Sequence, residues 1–157
     1  MYHYKECGLD NVWLENGFTE KITPYGKAVA IDNAINLHQT IALDLTMKVG
    51  KLTTNEFRFM RAILGISEDG FAQCLGDTEQ SVNLWERTEN IPTYADSIAR
   101  MLVSEKLKGN IKVSSVIERI NTVERMCKQK IVAREDKHKW TSKIKIEPMF
   151  DGITACH

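Results

Sequence analysis

The sequence predicts a mainly α protein with a small β-element formed by its N-terminus, to which a C-terminal strand is a candidate addition. Three observations carry this. Between about Leu52 and Leu107 the chain reads as a series of short helices, each opened by a capping residue and closed by glycine or proline. The first thirty residues hold short β-prone runs separated by turn residues. From Trp140 to Ile146, Ile144 and Ile146 alternate with Lys143 and Lys145, a period-2 pattern.

In the N-terminal third, Val12-Trp13-Leu14 and Lys27-Ala28-Val29-Ala30-Ile31 are the β-prone runs, with Asn16-Gly17 and Pro24-Tyr25-Gly26 as turns between them. Asp32 then reads as the cap of a helix whose apolar face is Ile35, His38, Ile41, Ala42 and Leu45, ending near Met47. Thr53 and Glu56 have the spacing of a capping box, and Phe57, Met60, Ile63 and Leu64 follow on one face. Gly65 stops this helix. Ser67 caps the next, which carries Phe71, Ala72 and Leu75, and Gly76 ends it. Thr78 caps a third, with Val82 and Trp85 facing inward. After Pro92, Thr93 reads as the cap of a fourth, with Ile98, Met101 and Leu102 inward. From Lys112 to Arg134 a further helix is expected, with Val113, Val116, Ile117, Ile120, Val123 and Cys127 on one stripe, either a core face or a dimer seam. The C-terminal strand is expected to pair with the N-terminal hairpin. The domain reading is 1–50, β-hairpin and linking helix; 51–108, the helical domain; 109–157, a helix and basic tail.

Composition narrows the class. Apolar residues are 43% of the chain, too many for a disordered segment, and no apolar run approaches the roughly 20 residues of a membrane span. With no signal-peptide pattern at Met1–Glu6, the expectation is a cytoplasmic protein. Cys7, Cys74, Cys127 and Cys156 form no C-x-x-C pair. His3, His38, His138 and His157 are scattered, and no P-loop, G-x-S-x-G or H-E-x-x-H is present, so no catalytic residue and no enzyme activity is expected. Net charge is zero but uneven: residues 1–100 hold 9 Lys/Arg against 14 Asp/Glu, and residues 101–157 hold 12 against 7. A basic end of this kind marks either a nucleic-acid contact or a solvated charged face.

The informative stretch is Arg61 to Pro92. Two short capped helices meet at Gly76 through a tight turn, and Ala72 is small where they cross. This is the construction of a helix-turn-helix. Its second helix would present Glu79, Gln80, Asn83 and Arg87 outward. Here the sequence resembles the Xre/Cro phage-repressor family, through Leu64-Gly65-Ile66-Ser67, Phe71-Ala72, Leu75-Gly76, Ser81-Val82, Trp85-Glu86 and Ile91-Pro92. The resemblance implies a lambda-repressor-like helix-turn-helix bundle, a buried ion pair between Arg61 and Glu86, and a reading helix from about Glu79 to Arg87 placed in the major groove. It makes Gln80 and Asn83 readers of adenine, Glu79 an acceptor from cytosine, and Arg87 and Thr78 phosphate contacts, with backbone N–H groups near Ser67 and Thr78 adding more. Ser81 and Leu84 complete the DNA-binding set. A homodimer would set two reading helices about 34–36 Å apart on a palindromic duplex operator.

The N-terminal arrangement is similar to the MqsA/YgiT group of antitoxin-type regulators, which implies a toxin or other protein partner. That group carries a zinc ribbon with two C-x-x-C pairs. Here only Cys7-Gly8 remains, with Tyr4 where a partner cysteine would stand, so neither metal nor other cofactor is expected. One feature runs against DNA binding: residues 67–90 hold Glu68, Asp69, Asp77, Glu79, Glu86 and Glu89 against Arg87 alone. Either the basic stretch Arg125 to Lys145 supplies the missing attraction, or the domain is a helix-turn-helix-derived protein-interaction module.

Overall fold

The structure, a computed structural model, describes residues 1–112 and 127–148. The chain divides into two units, Met1–Ser114 and Ser115–His157. The described residues hold five helices and three antiparallel strand pairs, a mixed α and β content rather than the mainly α chain expected. None of the helices is long and apolar enough to cross a membrane.

In the first unit, β1 (Tyr2–His3) pairs with β2 (Trp13–Leu14). Tyr4, Leu9 and Leu14 are buried, and the Tyr4 hydroxyl shares a hydrogen bond with His38 Nε2 at 2.9 Å. β3 (Phe18–Thr23) and β4 (Gly26–Ile31) form a second hairpin closed by Pro24-Tyr25. β3 went unread in the sequence because Glu20 and Lys21 break any apolar alternation. The hairpin projects into solvent, with Ile22 and Tyr25 exposed. β2 therefore does not join β4, as the positions of the turns had suggested.

Five helices follow: α1 (Ala34–Thr46), α2 (Thr54–Leu64), α3 (Glu68–Leu75), α4 (Glu79–Arg87) and α5 (Thr93–Leu107). The capping residues of α2, α3 and α4 are those expected. Thr53 and Glu56 form both halves of the capping box, Ser67 accepts from the Gly70 N–H, and Thr78 accepts from the Ser81 N–H. Gly65 and Gly76 close α2 and α3 in the left-handed conformation, φ 69° and 68°, where a Cβ is strained.

Two caps differ. Asn33, not Asp32, opens α1: its side chain accepts from the Asn36 N–H with the backbone left-handed at φ 47°, a conformation asparagine tolerates, while the Asp32 N–H closes the hairpin on the Gly17 carbonyl. Pro92, not Thr93, precedes α5; its carbonyl accepts from the Asp96 N–H, which places Thr93 inside the first turn. α5 is also rotated somewhat from the expected face, on which Ile98 and Leu102 are half-buried. Ala95, Ala99 and Val103 are fully buried and Met101 is exposed, since small residues let α5 lie close against α1 and α2. On α1, Ala42 and Leu45 are buried but Ile35 is exposed. The core is aromatic at its centre: Phe57 stacks on Phe71 at 5.0 Å and meets Trp85 edge-on at 6.4 Å, and Trp85 meets Tyr94 edge-on at 6.0 Å.

Two buried carboxylates join the helices to their connector. Asp96 accepts from the Leu52 N–H at 2.7 Å and pairs with Arg100 at 2.7 Å, whose guanidinium also donates to the Lys48 and Gly50 carbonyls. Glu56 takes the Lys48 ammonium at 2.5 Å and the Thr53 N–H at 2.8 Å.

In the second unit, β5 (Cys127–Asp136) pairs with β6 (Lys139–Pro148) from Cys127↔Pro148 to Asp136↔Lys139. This overturns two expectations. Cys127 to Arg134 lie in a strand, not at the end of a helix, because β6 supplies an in-register partner for Ile131 in Ile144. And β6 pairs with β5 rather than with the N-terminal hairpin, since a two-residue turn closes locally at far less entropic cost than a distant pairing. That turn, Lys137-His138, has φ 50° and 64°, as a type I′ turn demands. The rest of the expected helical stripe, Val113 to Val123, lies outside the described residues.

Burial disfavours ionised Glu56, but the Lys48 ammonium and the Thr53 N–H outweigh it and hold its pKa below the ordinary 4.5. A carboxyl whose folded pKa is depressed contributes stability above its unfolded pKa and loses it as pH falls toward the folded value. Chemical denaturation at several pH values should therefore show stability declining below about pH 4.5, and declining less steeply in Glu56→Gln, which keeps the capping-box geometry.

Candidate nucleic-acid interface

The site is built on the junction of α3 and α4. Asp77 makes the turn: its N–H donates to the Ala72 carbonyl at 2.9 Å and its carboxylate accepts from the Thr78 N–H at 2.8 Å. The Tyr94 hydroxyl at the start of α5 donates to the other oxygen. Those bonds, the Tyr94 hydroxyl first, lower the Asp77 pKa, and the carboxylate in turn raises that of Tyr94. The turn is thus clamped to α5. Sequence reading missed this clamp, because no local pattern links residues 77 and 94.

The rotation of α4 about its axis is set from below. Arg61 on α2 grips Glu86 with two bonds, Nε to Oε1 at 2.6 Å and Nη2 to Oε2 at 3.2 Å. A third bond runs from Arg61 Nη1 to the Ile66 carbonyl at 3.2 Å, and Arg58 donates to the Glu86 carbonyl. The Thr54 hydroxyl lies 3.4 and 3.3 Å from the Trp85 and Thr88 carbonyls. Glu86 is 4% exposed, so its charge is compensated almost wholly by these groups. With Val82, Trp85 and Glu86 inward, the 3.6-residue period turns the opposite face to solvent.

On that face Glu79, Gln80 and Arg87 are exposed, Leu84 is half exposed, and Ser81 and Asn83 are partly covered. Glu68 from α3 joins Glu79, Gln80, Asn83 and Arg87 around a shallow open depression of about 360 Å³. The two amides expected to read bases thus lie side by side, one turn apart. Thr78 is exposed but its hydroxyl is taken, accepting from the Ser81 N–H at 3.2 Å and donating to Ser81 Oγ at 3.0 Å. Ser67 Oγ is also a cap, accepting from the Gly70 N–H at 3.0 Å. Their side chains are therefore helix caps first. The amide protons of Glu79 and Gln80 in the first turn of α4 have no intrahelical acceptor and point out along the helix axis.

The charge around the depression is mainly negative. Glu68 and Asp69 occupy the first turn of α3 and Glu79 the first turn of α4, where each favours its helix dipole. Asp69 also accepts from Gln73 at 3.2 Å. Arg87 alone is positive on this face.

The residues near Cys7 do not fit a zinc ribbon. Tyr4 is buried and bonded to His38, Cys7 Sγ lies 3.8 Å from the Tyr4 carbonyl, and among the described residues no three His, Cys, Asp or Glu converge on a metal-sized site. Cys74 is partly buried, and that burial raises its pKa. Comparison of the chain with family models, with curated proteins and with solved structures finds no match.

Breaking the Arg61–Glu86 pair from one side leaves a buried charge unpaired. Glu86→Ala should cost about 3–5 kcal/mol in urea denaturation, whereas Arg61→Met with Glu86→Leu should cost clearly less than the two single changes added together. Simple additivity would show that the two charges act independently.

Proposed function

We propose that the chain is a helix-turn-helix regulator of the lambda-repressor-like type that binds duplex DNA sequence-specifically through α4, as one half of a homodimer on a palindromic site. The observation that carries this reading is the outward pair Gln80 and Asn83 on a helix whose opposite side is locked by Arg61–Glu86 and Trp85. A primary amide donates and accepts at once, which matches the N6 and N7 groups of adenine in the major groove. Glu79 suits the amino group of cytosine, Leu84 a thymine methyl, and Arg87 a phosphate. The free first-turn amides of α4 add a phosphate contact. The bond from Tyr94 to Asp77 ties the turn before α4 to α5 and so supports the backbone from which these side chains project.

A second reading is supported by the acidic surround of Glu68, Asp69 and Glu79 beside the half-exposed Leu84: a protein-interaction module, such as an antitoxin face meeting a basic partner. Selection of duplexes from a random pool separates the two. The first reading expects an enriched site, with Gln80→Ala plus Asn83→Ala losing preference for it by about 10-fold or more, from roughly 1–3 kcal/mol per bidentate contact. Absence of enrichment favours the second.

A further inference from the structure

The β5–β6 ribbon divides its residues between two sides. Ile131, Ile144 and Trp140 lie on one, and Lys130, Arg134, Lys143 and Lys145 on the other, because alternate residues along each strand share a side and in-register partners face each other across it. Every residue from Lys130 to Lys145 is exposed. On the basic side, Lys130 stands directly opposite Lys145, and Lys143 opposite Val132. Between these positions the one carboxylate on that side is Asp136, and it stands opposite Lys139. Among the described residues, none of Lys130, Arg134, Lys143 and Lys145 has a carboxylate within ion-pair distance.

Like charges directly opposite across an antiparallel pair destabilise it. The hairpin gains nothing from Lys130 facing Lys145, and a two-stranded ribbon is marginal in water to begin with. The cost is recovered if an anion lies over the pair. The ribbon sets basic side chains about 6.6–6.8 Å apart along a strand and about 4.5–5.5 Å apart across it. A repeating polyanion meets several of these at once, and a single small anion does not. The other side carries a single charge, Glu135 opposite Trp140, so the cations of the ribbon are gathered on one side.

We infer that the basic side of the β5–β6 ribbon is a second DNA contact that grips the phosphate backbone without reading sequence. The choice of partner rests on the duplex-binding reading of α4. The division of labour follows from charge: α4 carries amides within an acidic surround and discriminates, and the ribbon carries cations and attracts. Backbone contacts of this kind release counterions, so they dominate affinity and its dependence on salt.

The test uses the full chain and a random-sequence duplex, with affinity followed by fluorescence anisotropy across salt concentrations. Replacing Lys130, Arg134, Lys143 and Lys145 by Gln should weaken binding and flatten the slope of log affinity against log salt by roughly 3–4, at about 0.9 per phosphate contact. Lys130→Arg, Lys143→Arg and Lys145→Arg together should retain the wild-type slope, which separates charge from fold. Gln80→Ala plus Asn83→Ala should leave this slope unchanged. An unchanged slope in the Gln variant overturns the inference. So does a wild-type chain that fails to bind random duplex at low salt, or one displaced equally well by polyglutamate at the same concentration of charge. Because the readout needs no preferred sequence, a failed selection experiment with salt-dependent binding intact would remove the α4 reading and leave the ribbon standing.

Discussion

The arrangement of the helical unit depends on the clasp between Arg61 and Glu86. Glu86 sits 4% exposed on the inner side of α4, where an unpaired carboxylate would be far too costly. Only a guanidinium offers the planar pair of N–H groups that fills both oxygens at once, and Arg61 does so at 2.6 and 3.2 Å. Its third nitrogen, Nη1, donates to the Ile66 carbonyl, in the connector between α2 and α3. One side chain therefore ties together α2, its connector to α3, and α4. A buried pair of this kind contributes less net stability than its distances suggest. What it determines is rotation, since α4 cannot turn about its axis without stranding a charge.

From that rotation the rest of the site follows. Val82 and Trp85 fall beside Glu86 against the aromatic centre of Phe57 and Phe71, and Gln80, Asn83 and Arg87 fall opposite. Tyr94 and Asp77 then hold the turn from the α5 side. The outward side of α4 is thereby fixed in orientation, with Glu68, Asp69 and Glu79 beside it. A surface with this charge does not draw in a polyanion by itself. The cations absent from α3 and α4 are concentrated on the β5–β6 ribbon, which explains how a chain of zero net charge can carry so uneven a distribution.

The candidate site was legible in the sequence to an unusual degree around α2, α3 and α4, and much less so elsewhere. Thr53 with Glu56, Ser67, Thr78, Gly65 and Gly76 marked the helix ends because capping is chemistry between residues three or four apart. Val82 and Trp85 marked the inner side of α4 by spacing alone. The occupied hydroxyl of Thr78 was not legible, because its bond to Ser81 Oγ depends on side-chain rotamers rather than residue type. Nor was the Tyr94–Asp77 clamp, which spans 17 residues.

By itself, then, the sequence determined where α2, α3 and α4 begin and end and which side of α4 is apolar, since these rest on interactions within one or two helical turns. Tertiary structure decided the remainder. It centred the inner side of α5 on Ala95, Ala99 and Val103, with Ile98 and Leu102 half-buried beside them and Met101 left exposed, because close packing against two neighbours rewards small residues. It made Asn33 the cap of α1, since the chain leaves the hairpin at Asp32 and turns left-handed at Asn33 before the helix begins. And it drew Cys127–Asp136 into a strand, where Lys128, Gln129 and Lys130 alone favour a helix, because β6 offered a hydrogen-bonding partner along the whole length.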